Sequence, residues 1–360
     1  MKRIIHPSRF AKLFLGLLIF FIAYHLIVWH LYTSHIFGLT DGYRVGDLVR
    51  NSYQIDFSHT RKSEFTLTKR HFNQSNWHGE QIDIITVGDS FSNGGAGDLN
   101  RYYQDHIASL YDMNILNIQG LKQYDLIFEA ILVLYNNGTL EKLKPKAVLI
   151  ESVNRYAIAR FAKNFDFAQT QDISIVQLLE KQKNKNKTQD VLFINTANYK
   201  FPFYALKYKF KERAHKNVYK LNLGEDMFST KIKNKLLVYH EDIAILPEIK
   251  QQHIEKLNHN FNTLAKKLNA LGIQLIYMPI VDKYDLYYDV IIDNKHKKNL
   301  FFDLLRPMEK DYYMLDTKQI LSELLNNKEK DIFYADDTHW SYKASEAIAK
   351  DPIFNILKGK

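Results

Sequence analysis

Four short apolar runs constrain this chain most: "IDIITV" (residues 82–87), "MNILNI" (113–118), "KAVLIE" (146–151) and "IQLIYM" (273–278). They are rich in β-branched residues and are nearly continuous rather than alternating, which suits strands buried on both faces of a parallel sheet. Helix-period patterns lie between them, over residues 100–111, 124–135 and 248–271, and Pro145 stops the chain just before the third run. Strand and helix in alternation imply an α/β domain built on a doubly wound parallel sheet, with functional groups gathered at the carboxyl ends of the strands. The rhythm breaks over residues 156–246, rich in Lys, Asn and aromatics, where we expect an inserted, mainly helical segment able to cap a site.

The amino terminus sets a second constraint. Residues 1–12 carry Lys2, Arg3, Arg9 and Lys12 and no acid, and residues 13–32 then run without a formal charge. Twenty apolar residues suffice to cross a bilayer as a helix. The basic flank belongs on the cytoplasmic side, Trp29 and Tyr32 suit the far interface, and no small-residue cleavage site comes after them. This reads as an uncleaved, single-pass signal anchor in the inner membrane, a spacer over residues 33–80, and a domain over 81–360 in the periplasm or otherwise outside the cytoplasm. The competing reading is a buried core helix.

The chain of 360 residues has no cysteine, which excludes disulfides, thiolate metal sites and a cysteine nucleophile. Its net charge is +9, with excess in residues 181–187 and 207–216. For an exported domain this suits an anionic membrane surface or an acidic glycan rather than nucleic acid; plain solvated faces serve equally well. No histidine pair has a metalloprotease-type spacing, so neither metal nor cofactor is expected.

Two short stretches carry candidate chemistry. In "VGDSFSNGG" (residues 87–95), Gly88 permits a tight turn off a strand. Ser90 then stands where the strand gives way to a loop or a helix N-terminus, and backbone N–H groups there can stabilise an oxyanion. An Asx-type turn capping a helix explains the same residues. In "FYADDTHWSYKASEAIAK" (residues 333–350), Asp337 lies two residues before His339 and Asp336 three. A carboxylate that fixes the imidazole tautomer leaves the other ring nitrogen free as a base; a helix N-cap with an incidental histidine is the plainer alternative.

Together the two stretches resemble the SGNH/GDSL hydrolase superfamily, and most closely its branch of membrane-anchored alginate-type O-acetylation proteins. Asp337, Thr338, His339 and Trp340 match the Asp-Thr-His-Trp motif of that branch, and Pro279, Asp282, Lys283 and Tyr284 match a strand end followed by Asp-Lys and Tyr. The resemblance rests on about four short blocks over residues 81–350. The chain keeps the superfamily order, serine first and Asp/His last, whereas the alginate proteins carry the pair before the serine.

The resemblance implies an SGNH-hydrolase-like, flavodoxin-like sheet, with Ser90 as nucleophile, His339 as base and Asp337 (alternatively Asp336) orienting it. It also implies oxyanion donors at Gly120 and Asn154, although the usual Gly-x-Asn-Asp block is missing and a surface turn explains either residue equally. Lys283 and Trp340 join the substrate-binding candidates. Arg155 either contacts a substrate carboxylate or pairs with Glu151, and we expect the pairing. Phe201, Phe203 and Tyr204 either stack on sugar rings or pack a small core, with Lys207 and Lys209 meeting acidic groups.

Three functions fit this reading: an O-acyltransferase modifying a polysaccharide, supplied with acyl groups by an integral membrane carrier; an acyl-ester hydrolase; and a catalytically silent glycan-binding or assembly protein.

Overall fold

The computed structural model describes residues 7–37, 45–61, 65–119, 126–169 and 192–359. Its centre is a six-stranded parallel sheet of β1 (Phe72–Asn73), β2 (Ile84–Val87), β3 (Ile115–Ile118), β4 (Ala147–Val153), β7 (Gln274–Ile280) and β9 (Tyr313–Met314). The spatial order is β1-β3-β2-β4-β7-β9. Every residue of β2, β3 and β4 is buried, which is why their sequences are continuous apolar runs.

Helices cover both faces. Tyr277 of β7 packs its ring on Phe161 and Phe261, so the helices Asn154–Phe161 and Gln251–Asn269 lie on that face. Thr86 is in register with Leu149 and, through it, with Ile276. Side chains alternate along a strand, so Thr86 points the other way from Tyr277. On that opposite face it meets Gln104 of the helix Tyr103–Tyr111, beside which the helix Tyr342–Ala349 packs.

Leaving aside the two-residue β1, the strands read second-first-third-fourth-fifth across the sheet, the flavodoxin-like order. The chain reverses its winding direction between β2 and β4, where such sheets open a crevice for ligands. Ser90 follows β2, and Asn154 and Arg155 follow β4.

The inserted segment adds strands to the expected helices. Its described part holds the helix Ala197–Lys207 and a hairpin of β5 (Val218–Leu223) and β6 (Lys235–Tyr239), joined by β8 (Ile291–Ile292) into a second, antiparallel sheet. Residues 45–61 are not a free spacer: Val45, Leu48, Val49 and Phe57 form a small core with Val218 and Leu237. The stretch 181–187 lies outside the described residues. At the amino terminus, Pro7–Leu31 is one 25-residue helix, long and apolar enough over Arg9–Leu31 to cross a membrane.

Candidate active site

The turn after β2 is built around two buried carboxylates. Glu151 of β4 places Oε2 under the turn, where it accepts from Asp89 N (3.0 Å), Ser92 N (3.1 Å) and Ser92 Oγ (2.7 Å). A Cβ at position 88 would lie 2.2 Å from that oxygen, which is the local reason for Gly88. Asp89 binds across to the end of β4: its Oδ2 accepts from Val153 N at 3.1 Å and Arg160 Nη1 at 2.6 Å. Burial, then the neighbouring Asp89 charge, pushes the Glu151 carboxyl well above the usual carboxylate range. Burial acts on Asp89 in the same sense, but Arg160 outweighs it and holds that carboxyl low. Ser90 is thereby fixed at the switch point with its side chain part-exposed.

The second half comes from the loop before the helix Tyr342–Ala349. His339 Nε2 lies 2.7 Å from Ser90 Oγ, and His339 Nδ1 lies 2.6 Å from Asp337 Oδ1. With Nδ1–H donated to Asp337, Nε2 accepts the serine hydroxyl. The ring packs on Phe91, and a Cβ at Gly95 would come within 2.4 Å of Nε2. Burial pulls the imidazole down, yet the charge and hydrogen bond of Asp337, with a further contribution from Asp47, raise it above the ordinary histidine value. Burial likewise works against ionisation of Asp337, but His339 and Arg61 hold its carboxyl far below the usual range.

Sequence reasoning missed the groups that hold this loop. Arg61 Nη2 donates to Asp336 Oδ1 at 2.8 Å and to Asp337 Oδ2 at 3.1 Å, with all three side chains buried. Asp336 also accepts from the Gly46 and His59 N–H groups, so it anchors residues 45–61 rather than the imidazole. Asp47 accepts from Thr338 N (2.9 Å) and Thr338 Oγ1 (2.6 Å). These partners lie some 275–291 positions away in sequence, and no local motif marks them. Asp47, Asp337 and His339 also bring their ligand atoms within 4.8 Å of one another, the described cluster nearest to a metal set. In this geometry, however, Asp337 and Thr338 occupy those atoms.

Ser90 and His339 open into a cavity of about 480 Å³ lined also by Asp47, Asn51, Asp89, Arg155, Tyr156, Arg160, Asn217, Tyr239 and Thr338. Among the described residues nothing accepts the Ser90 N–H. Asn154 begins the helix after β4; it is fully buried and outside the cavity lining, and among the described residues its amide nitrogen and oxygen have no hydrogen-bond partner. Register pairs Val87 with Ile150, which brings the ends of β2 and β4, and hence Ser90 and Asn154, to similar heights.

The remaining candidates are placed differently from one another. Gly120 falls outside the described residues. Arg155 lines the cavity but pairs with Asp242, at 2.6 Å, and not with Glu151, whose carboxylate lies under the nucleophile turn. Lys283 is buried, its ammonium donating to the carbonyls of Tyr334, Ala335 and Asp337 at 2.7, 3.0 and 3.1 Å. Burial lowers it to about 8. Trp340 is buried edge-on against Phe91, outside the cavity lining. Lys283 and Trp340 therefore shape the loop from behind. Phe201, Tyr204 and Phe203 pack on Tyr32, on Tyr53 and on Tyr204 respectively, so the aromatics do not cover the cavity. Lys207 sits over the Phe203 ring, and neither Lys207 nor Lys209 lines the cavity.

An open parallel sheet of this order, with Ser, His and Asp brought together at its switch point, has the arrangement of an SGNH hydrolase-like α/β domain. Residues 236–351 match the model of one family in particular, ALGX, described as the SGNH hydrolase-like domain of acetyltransferase AlgX. The match takes in β7, Lys283 and the Asp337–His339 loop, and Ser90 lies outside it. No curated protein and no solved structure matches the chain.

Proposed function

We propose that this chain is an extracytoplasmic O-acyltransferase, of O-acetyl type, that esterifies a cell-surface or secreted polysaccharide through an acyl-serine. The observation that carries the proposal is the continuous relay from Ser90 Oγ through His339 to Asp337, opening into a polar, tyrosine-walled cavity. Ser90 Oγ attacks the donor carbonyl as its proton passes to His339 Nε2, and Asp337 stabilises the imidazolium. The Ser90 N–H and the Asn154 amide are the proposed oxyanion donors, joined by Gly120 N–H. The tetrahedral intermediate collapses, the donor's leaving group takes the proton from His339, and the acyl group stays on Ser90. A sugar hydroxyl then gives its proton to His339 and attacks the acyl carbonyl; as this second tetrahedral intermediate collapses, the bond to Ser90 Oγ breaks, His339 returns the proton to Ser90 Oγ, and the sugar ester departs.

Retention of the apolar helix as an inner-membrane anchor supports transfer over hydrolysis, because an enzyme tethered beside a membrane-borne acyl donor meets it at high effective concentration. An integral membrane acyl carrier is the partner this reading assigns. Asn51 and Asn217 offer hydrogen bonds to a sugar, while Tyr156 and Tyr239 wall the cavity with the Arg155 and Arg160 guanidiniums over their rings. The test is the partition of an aryl acetate between water and an oligosaccharide acceptor, measured on the full chain. Acetylated oligosaccharide that disappears with Ser90→Ala supports the proposal. Hydrolysis alone, with every glycan offered, makes the protein an esterase, and absence of both reactions favours a silent binding role.

A further inference from the structure

The helix Ala197–Lys207 is docked on the outer end of the apolar helix Pro7–Leu31 by a polar cluster. Tyr24 Oη donates to the Asn198 carbonyl at 2.6 Å, His25 Nδ1 and Nε2 lie 2.7 Å from Asn198 Nδ2 and 2.8 Å from Tyr199 Oη, and Thr33 Oγ1 donates to Asn198 Oδ1 at 2.5 Å. Tyr32 and Phe201 stack at 4.5 Å. Removal of the apolar helix as a signal peptide would strip the buried Asn198 of these partners.

The depth of this docking matters. His25 precedes Thr33 by eight residues, about 12 Å of helix at 1.5 Å per residue. A bilayer crossed by residues 13–32 therefore reaches past His25, and Ala197–Lys207 lies at the level of its outer headgroups and upper acyl chains rather than above them. The outward residues suit that place. Phe203 and Leu206 of the helix and Phe210 just beyond it are exposed by 55, 57 and 80%, at spacings of three and four residues. Between residues 197 and 216 stand six Lys or Arg against the single acid Glu212. An exposed apolar stripe flanked by bases is the pattern of a helix lying in the membrane interface.

We propose that residues 192–213 insert into the outer leaflet's interfacial region, forming a second membrane contact beside the apolar helix. The inference rests on reading residues 13–32 as a retained anchor. Its consequence is geometric: the cavity wall resumes at Asn217, a few residues beyond Arg213, so this contact would set the height of Ser90 over the bilayer.

Because the chain has no cysteine, single labels report cleanly. The full chain would be labelled with an environment-sensitive fluorophore at Leu206→Cys, Phe210→Cys, Ile19→Cys or Leu271→Cys. Each variant would be reconstituted in phosphatidylcholine–phosphatidylglycerol vesicles with or without lipids carrying both shallow and mid-chain spin-label quenchers. We expect about two-fold quenching at positions 206 and 210, as at position 19, and none at 271. Quenching at 19 with none at 206 and 210 overturns the proposal and leaves the anchor standing, even if a partner protein covers the stripe in native membranes. Absence of quenching at 19 as well overturns both.

Discussion

Arg61 and Asp337 are joined by a buried ion pair, guanidinium Nη2 to carboxylate Oδ2 at 3.1 Å, on the side of the carboxylate not used by His339. One cation thereby holds a segment near the amino terminus against the loop that supplies the base, and the same nitrogen lies 2.8 Å from Asp336. Arg61→Met would strip two buried carboxylates of the guanidinium they share. The expected loss is about 3–5 kcal/mol of folding stability, read as a lower denaturant midpoint. Arg61→Lys should recover only part, since an ammonium lacks the planar fork that spans both carboxylates. An unchanged midpoint for Arg61→Met would contradict this role.

The two neighbouring aspartates should separate by readout. Asp337 bonds the imidazole, so Asp337→Asn should lower kcat by on the order of 10⁴ by misplacing the tautomer. Asp336 touches Arg61, Gly46 N–H and His59 N–H and not the imidazole. Asp336→Asn should therefore cost about 1–3 kcal/mol of stability with kcat within a few-fold of the parent. Steady-state kinetics with an aryl acetate, paired with urea melts, distinguish these outcomes; a larger kcat loss at Asp336 would refute the assignment.

This division shows what sequence can carry. The relay was legible because its parts sit in two local motifs, Gly88–Asp89–Ser90 and Asp337–Thr338–His339, and the sheet because strands buried on both faces write themselves as continuous apolar runs. The supports were not legible. Arg61 and Asp47 reach their partners across most of the chain, through a segment whose weak periodicity reflects packing on the small sheet rather than on the main core. The hairpin of β5 and β6 was missed for a related reason. Its burial is mixed, so polar and apolar residues blur the pattern. Arg155 was misassigned because Glu151, close in sequence, is consumed by the nucleophile turn, while Asp242 arrives from the insertion.

Activity should depend on pH through His339. Only the neutral ring accepts the Ser90 proton, and Asp337 and Asp47 raise its pKa above the ordinary histidine value. The rate should fall as pH drops through that raised pKa, giving kcat/KM an acid limb centred above the ordinary value. Asp47→Asn removes one negative charge beside the imidazolium and should move the limb to lower pH. A limb that stays in place in the Asp47 variant would show that Asp47 acts only through Thr338.

In the proposed mechanism Ser90 carries the acyl group between donor and sugar. Intact-mass and peptide-mapping spectrometry of the full chain, quenched in acid during turnover of an aryl acetate, tests it most directly. A single acetyl group is expected on Ser90, absent from Ser90→Ala. Addition of an oligosaccharide acceptor should discharge that group faster, with the acetyl recovered on the sugar. An acetyl group on another residue, an unlabelled chain despite turnover, or a Ser90 ester that no glycan discharges faster than water would contradict it.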